Sequence, residues 1–276
     1  MYLTGHARLA GVIGWPVAHS RSPRLHGAWL ERYGIDGAYL PLAVRPADFA
    51  ACARALVRMG FAGANVTIPH KEAAFAVCDR ITDGAQRAGA VNTLMFRDGV
   101  IVGDNTDGTG FIANLRAHGV DPAAGPALLL GAGGAARAIG VALSEAGATV
   151  TVCNRSAERA MALAEVIGCR WLDWVARDTA LADHALVVNT TSLGMKGQPP
   201  LDLSLRQASA GLVVADIVYV PLQTALLAAA QVRGLRTVEG LGMLLHQAVP
   251  GFSAWFGVTP TVDDDLYRIV AADLMA

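Results

Sequence analysis

Asn65-Val66-Thr67-Ile68-Pro69-His70-Lys71 reads as a strand with Asn65 and Thr67 on one face, then a proline, then a lysine at the start of a helical pattern. A cation is disfavoured at the positive end of a helix dipole, and an ammonium placed there or partly desolvated gives up its proton more readily than a solvated one. Lys71 is therefore a candidate general acid or base. A lysine that merely solvates a helix start is the alternative this motif leaves open.

Polar groups collect at other strand ends in the same half of the chain, where open α/β sheets place ligands. His19-Ser20-Arg21-Ser22-Pro23 sets two hydroxyls two residues apart before a helix. Ser20 and Ser22 suit a carboxylate or polyhydroxylated ligand, and equally suit N-capping. Gly89-Ala90-Val91-Asn92-Thr93 and Gly103-Asp104-Asn105-Thr106-Asp107-Gly108 set amides, hydroxyls and carboxylates beside glycines, which turn chemistry alone also explains. Later, Asn189-Thr190-Thr191-Ser192-Leu193-Gly194-Met195 follows a strand as a polar loop. Asp216-Ile217-Val218-Tyr219-Val220-Pro221 and Gly240-Leu241-Gly242-Met243-Leu244-Leu245-His246-Gln247 repeat the pattern.

Anion binding is the second chemistry the sequence suggests. An apolar run, 126–130, empties into Gly131-Ala132-Gly133-Gly134-Ala135-Ala136-Arg137 and a helical pattern. Gly131 can take a backbone angle closed to other residues, Gly133 lets the main chain approach a pyrophosphate, and Ala136 is small enough for helix and strand to pack. Free N–H groups at the helix start then face the anion. A tight turn with no ligand is the competing reading. The next strand ends in Asn154-Arg155-Ser156, about 20 residues on, where a dinucleotide fold selects its ribose. With no carboxylate at that place to hold a 2′-hydroxyl, Arg155 and Arg159 are set to meet a 2′-phosphate, so the expected cofactor is NADP.

Positioning these groups takes two sheets. Strands are expected at 10–13, 37–42 and 63–68, alternating with helices at 24–33, 46–59 and from 71. Segments 91–96 and 100–102 flank Arg97-Asp98-Gly99, a hairpin turn. A helix over 107–118 and a Gly/Pro-rich stretch lead to strands at 126–130, 148–153, 185–189 and 212–217 alternating with helices, as a doubly wound fold requires. Helices over 242–256 and 263–275 close the chain, and their pattern does not say which domain they join. The fold class expected is α/β with two domains, an N-terminal α/β domain with a parallel or mixed sheet over 1–106 and a Rossmann domain over 107–241.

Composition narrows the function classes. In 276 residues, 53% are hydrophobic and 16% charged, an apolar globular composition rather than a disordered one. A net charge of -1 argues against a nucleic-acid surface. The most membrane-like stretch, 211–232, is interrupted by Asp216, Pro221, Gln223 and Gln231, which a bilayer core tolerates poorly. No basic-then-apolar leader opens the sequence, so a cytoplasmic location is expected. Cys52, Cys78, Cys153 and Cys169 form no Cys-x-x-Cys pair, which speaks against zinc or a disulfide framework, and reduced thiols follow.

Taken in order, these segments resemble the shikimate dehydrogenase family from Gly14 to about Gly257. The resemblance implies an N-terminal substrate domain, rejoined by 242–276, and an NADP-binding Rossmann domain that together reversibly reduce 3-dehydroshikimate to shikimate. It implies that Ser20 and Ser22 bind the substrate carboxylate, that Asn65, Thr67, Asn92, Asp107 and Gln247 bind ring hydroxyls, and that Tyr219 lies on the substrate side. Lys71 and Asp107 resemble the catalytic pair. Gly131, Ala132, Gly133, Gly134 and Ala135 match the pyrophosphate loop, and Asn154, Arg155, Ser156 and Arg159 the adenosine-phosphate clamp. Ile217 and Gly240 match positions beside the nicotinamide, and Asp83 a further cofactor contact. No metal is implied, and monomer or homodimer is left open. Two positions depart from the family pattern: Gly27 replaces a frequent asparagine, and Ser156 replaces a frequent threonine while keeping the hydroxyl. A quinate or aminoshikimate dehydrogenase of the same family is one alternative. A non-catalytic NADP-binding module is another, whose signature would be loss of Lys71 or Asp107.

Overall fold

The computed structural model describes residues 2–274, so Met1, Met275 and Ala276, the last two at the end of the expected closing helix and domain, lie outside the described residues. The chain divides into two compact units, one built on residues up to Thr106 together with Gln247–Ala272, the other on Asp107–His246.

In the first unit the chain runs β1 (Arg8–Gly14), α1 (Ser22–Arg32), β2 (Gly37–Ala43), α2 (Phe49–Arg58), β3 (Gly63–Val66), α3 (Lys71–Val77), β4 (Arg80–Ile81), α4 (Asp83–Ala88), β5 (Thr93–Arg97) and β6 (Val100–Asp104). The sheet order is β2-β1-β3-β5-β6-β4. β1 pairs parallel with β2 and β3, while β5 pairs antiparallel with β3 and β6, so the sheet is mixed. The β5–β6 connection has Asp98 at φ 51° and Gly99 at φ 80°. Left-handed residues at both central positions give a turn whose twist matches the strands it joins.

β3 stops at Val66, sooner than the alternation in the sequence predicts. Thr67 still donates its N–H to the Ile13 carbonyl at 2.9 Å, but Pro69, two residues on, has no N–H to extend a ladder. Behind β3 the core joins Ile13, Phe49, Phe61, Val66, Leu94 and Ile101. Gly63 is held to glycine by close approach: a Cβ there would stand 2.1 Å from both the Leu94 carbonyl oxygen and Trp255 Nε1. That indole instead donates to the Leu94 carbonyl at 3.0 Å.

The second unit runs α5 (Asp107–Ala117), β7 (Ala127–Leu130), α6 (Gly134–Glu145), β8 (Val150–Asn154), α7 (Ala157–Ile167), β9 (Arg170–Asp173), α8 (Arg177–Ala180), β10 (Leu186–Asn189), β11 (Val213–Asp216), α9 (Ala225–Val232) and β12 (Arg236–Val238). The order β12-β11-β10-β7-β8-β9 is parallel throughout, the doubly wound arrangement. β7 shows why its sequence is a continuous apolar run: Ala127 and Leu129 enter one core with Ile139 and Leu143, and Leu128 and Leu130 enter the other with Leu181 and Leu227. The edge strands β9 and β12 are short and carry arginines and a threonine, so they present no such run.

α10 (Gly240–Phe256) and α11 (Asp264–Ala271) complete the chain, and the two units part inside α10, between His246 and Gln247. No helix among the described residues is long and apolar enough to cross a membrane.

Candidate active site

In the first unit the polar strand ends form one buried network. Ser22 opens α1 and is buried, its N–H donating to Ser20 Oγ at 3.3 Å. The N-cap of α1 is Arg21, with no side-chain capping bond, so neither serine is used as its N-cap residue. Asn65, on β3 and buried, receives the Tyr39 hydroxyl proton on Oδ1 at 2.6 Å and donates from Nδ2 to the Asn92 carbonyl and Thr93 Oγ1, both at 3.2 Å. Asn92 Oδ1 accepts from the Thr106 N–H at 2.9 Å, and its Nδ2 donates to Gln247 Oε1 at 3.2 Å. Thr106 Oγ1 donates to the Gln247 carbonyl at 2.8 Å, tying α10 to the end of β6. Four of the residues expected to bind a hydroxylated acid, Ser22, Asn65, Asn92 and Gln247, are thus buried polar groups of this unit. Buried polar groups stay only where hydrogen bonds hold them.

Lys71 is the first residue of α3 and half-buried, and its carbonyl accepts the Val91 N–H at 3.0 Å, next to Asn92. His70 before it stacks on Phe49, ring centroids 4.9 Å apart, and pairs through Nε2 with the Val44 carbonyl at 2.8 Å. The lysine's backbone is therefore anchored from two sides. Thr67 is half-buried in the turn between β3 and α3. Asp83 is exposed at the start of α4 in this first unit, whereas every other residue expected to hold the cofactor is in the second.

Asp107, buried, opens α5 in the second unit. After β7 the turn at Gly131 has φ 117°, and a Cβ there would stand 2.6 Å from Thr190 Oγ1. Gly133 and Gly134 have nothing within 4 Å of an added Cβ, so the main chain at the start of α6 is open to an approaching group. A cavity of about 510 Å³ is lined by Gly131, Ala132, Gly133, Asn154, Arg155, Arg159 and the Thr190-Thr191-Ser192 loop. Main-chain N–H groups at a helix start and two arginines form a donor set suited to phosphates. Arg159 Nη2 also reaches the Ala132 carbonyl at 3.3 Å. Ser156 caps α7, accepting the Arg159 N–H at 3.3 Å and donating to Glu158 at 2.8 Å. NADP fits this site by the shape of its glycine turn and by the charge of its far end.

Asp216, at the end of β11, accepts from Asn189 Nδ2 at 2.9 Å and the Val218 N–H at 3.0 Å on one oxygen, and from Thr224 Oγ1 at 2.8 Å on the other. Burial pushes its carboxyl up to about 6 against the pull of those bonds. It fastens the loop that carries Ile217 and the half-buried Tyr219. Gly240 packs on that loop so closely that a Cβ would stand 2.4 Å from the Ile217 carbonyl oxygen.

Sequence reasoning passes over Trp174, Arg177 and Asp202, which line the same cavity. The Arg177 guanidinium lies 4.9 Å over the Trp174 ring and donates to the Asp202 carbonyl at 2.9 Å. They come from segments with no glycine or strand-end signature, so only the fold unites them. Tyr39 in the first unit is likewise without a motif, whereas His26 is the histidine that precedes Gly27 in the serine motif.

Residues 12–94 match the model of the shikimate dehydrogenase substrate binding domain. Over 275 residues the chain is 76% identical to a shikimate dehydrogenase (NADP(+)) of Acidiphilium cryptum, covering all of both chains. It is 57% identical to that of Rhodospirillum rubrum, covering 97% of this chain and 98% of the relative. Its fold matches the crystal structure of shikimate 5-dehydrogenase from Thermus thermophilus in complex with NADP(H) and shikimate, with a TM-score of 0.88 and 38% identity over 97% of this chain and 99% of that one. With identity of this degree along both units, the chain belongs to the shikimate dehydrogenase family.

Proposed function

We propose that the protein interconverts 3-dehydroshikimate and shikimate with NADP(H), using Lys71 and Asp107 as the catalytic pair. The observation that carries this reading is the buried network of Ser22, Asn65, Asn92 and Gln247, a set of polar groups suited to a small polyhydroxylated acid. NADPH supplies the hydride when bound. The turn from Gly131 to Ala135 receives its pyrophosphate, Asn154, Arg155, Ser156 and Arg159 its adenosine phosphate, and Ile217 and Gly240 border its nicotinamide. Asp83 is assigned to the cofactor by resemblance alone.

Ser20 and Ser22 hold the substrate carboxylate, and Asn65, Thr67, Asn92 and Gln247 hold its hydroxyls, with Tyr219 on the substrate side. Fixing the ring in this way turns the encounter of substrate and cofactor into an oriented step. Lys71 gives a proton to the ketone oxygen as hydride reaches its carbon, and takes that proton back in the oxidation direction. Asp107 holds the same oxygen and the ammonium by hydrogen bonds.

Lys71→Ala should lower kcat by ~10²- to 10⁴-fold, the usual worth of a positioned acid or base, with a smaller change in KM. Steady-state rates with shikimate and NADP⁺ measure it, and near wild-type turnover would remove Lys71 from this role. Repeating the assay with quinate, and with NAD⁺, separates this activity from that of a quinate dehydrogenase. Inactivity with every pair would favour a binding module.

A further inference from the structure

Tyr39 sits on β2, buried, among residues that no motif singles out. Its ring stacks on His26 with centroids 3.9 Å apart and planes at 5°, and Trp255 closes on it with centroids 6.0 Å away. The phenol oxygen is thus held in place by its ring. It donates to Asn65 Oδ1 at 2.6 Å, and the phenol oxygen itself is hydrogen-bonded to the Ser22 hydroxyl.

We propose that Tyr39 is a positioning residue of the substrate site: its hydroxyl joins Ser22 to Asn65 and fixes the Asn65 amide so that a ligand meets it only as an acceptor. The inference rests on the reading of Ser22 and Asn65 as substrate ligands. Asn65 Nδ2 has two protons, and both are spent on the Asn92 carbonyl and Thr93 Oγ1. A main-chain carbonyl can only accept, so the nitrogen must lie on that side. Oδ1 has two lone pairs, and Tyr39 occupies one. What remains for a ligand is a lone pair, which receives a hydroxyl proton and rejects a carbonyl oxygen. At this position the site selects an alcohol over a ketone, so Asn65 must read a hydroxyl that the reaction leaves untouched.

The test is a cycle of Tyr39→Phe and Asn65→Ala. Phenylalanine keeps the ring and its stacking and removes only the hydroxyl. Tyr39→Phe should raise the KM for shikimate about 3- to 10-fold, the effect of one neutral hydrogen bond, with kcat within about twofold and the KM for NADP⁺ unchanged. In the Asn65→Ala background the same change should cost less than about twofold, because the amide it orients is gone. An unchanged shikimate KM, an equal loss in both backgrounds, or an equal rise in the KM for NADP⁺ would overturn the proposal. A normal shikimate KM in Asn65→Ala alone would overturn the ligand reading and the proposal with it, whereas wild-type inactivity on shikimate would remove the functional reading itself.

Discussion

In the first unit polar side chains at strand ends are buried and spend most of their hydrogen bonds on one another, whereas in the second the glycine turn leaves main-chain groups open beside exposed arginines. Asn65, Asn92 and Thr106 are each less than 10% exposed and are held by neighbours from separate elements. Arg155 and Arg159 are solvent-facing, and Gly133 and Gly134 have open space at their Cα atoms. The first arrangement costs desolvation before any ligand arrives and repays it in rigidity. The second recognises an anion by fixed backbone geometry and by long-range charge. A site for a small hydroxylated ring needs many short directional bonds, while a pyrophosphate needs shape and sign.

The sharpest way to break this contrast is acid. His26, fully buried among Trp29, Tyr39, Phe252 and Trp255, has only the nearby Asn65 side chain to offset its burial, at a geometry short of a full hydrogen bond on either ring nitrogen. Burial pulls its pKa down to about 3, with Asn65 opposing in part. The folded state therefore keeps His26 neutral while the unfolded chain takes up a proton below about 6.5. Stability from this residue is full above pH 6.5 and is lost as the pH falls toward 3, on the order of 3 kcal/mol by pH 4. Thermal unfolding of wild type and His26→Phe between pH 7 and 4 should show the wild type losing stability faster. Parallel slopes would mean that the aromatic cluster admits water and the first unit is less dry than its packing indicates.

The same contrast explains what the sequence could disclose. The second unit's site is written in residues with special backbone freedom, and Gly131 at φ 117° is readable because so few side chains can replace it. Its sheet is equally readable, since β7, β10 and β11 are apolar runs buried on both faces. The mixed sheet of the first unit is legible through the Asp98-Gly99 turn, but β4, two residues long, has no period to detect. Which of several asparagines and threonines become a network depends on pairings distant in sequence. Asn92 meets Gln247 across 155 positions, and Tyr39 meets Asn65 across 26. The Trp174–Arg177 wall of the cavity is hidden for the same reason: its segment is near the arginine clamp only through the β8–β9 pairing.

A smaller effect probes the open, charged end of the second unit. Arg155→Ala removes charge-assisted bonds worth about 1.5–3 kcal/mol, so NADPH affinity should fall roughly 10- to 150-fold in a fluorescence titration. NADH affinity should hardly move, because NADH lacks the 2′-phosphate that Arg155 is proposed to bind. Loss of NADH binding with NADPH unchanged would place the ribose elsewhere and dissolve the contrast between shape and charge.

The least effect comes from a part of the second unit that behaves like the first. Asp216 is 2% exposed and bonded to Asn189, Val218 and Thr224, and burial raises its carboxyl to about 6. Here the folded state holds a proton that the unfolded chain has already released, so stability from this group is full below about pH 4 and is lost as the pH rises through 6, by about 2 kcal/mol. That slope is opposite to the slope from His26. Asp216→Asn keeps the carbonyl acceptor for Asn189 and Val218 and has no charge to bury. Its stability should climb more steeply between pH 4 and 6 than that of the wild type, because the opposing contribution is gone. Hydrogen exchange at β11 amides, followed across that window, assigns the change to the second unit. If protection of β11 has the same pH dependence in both proteins, Asp216 is charged throughout, its three bonds outweigh its burial, and the loop carrying Ile217 and Tyr219 is fastened by a carboxylate rather than an acid.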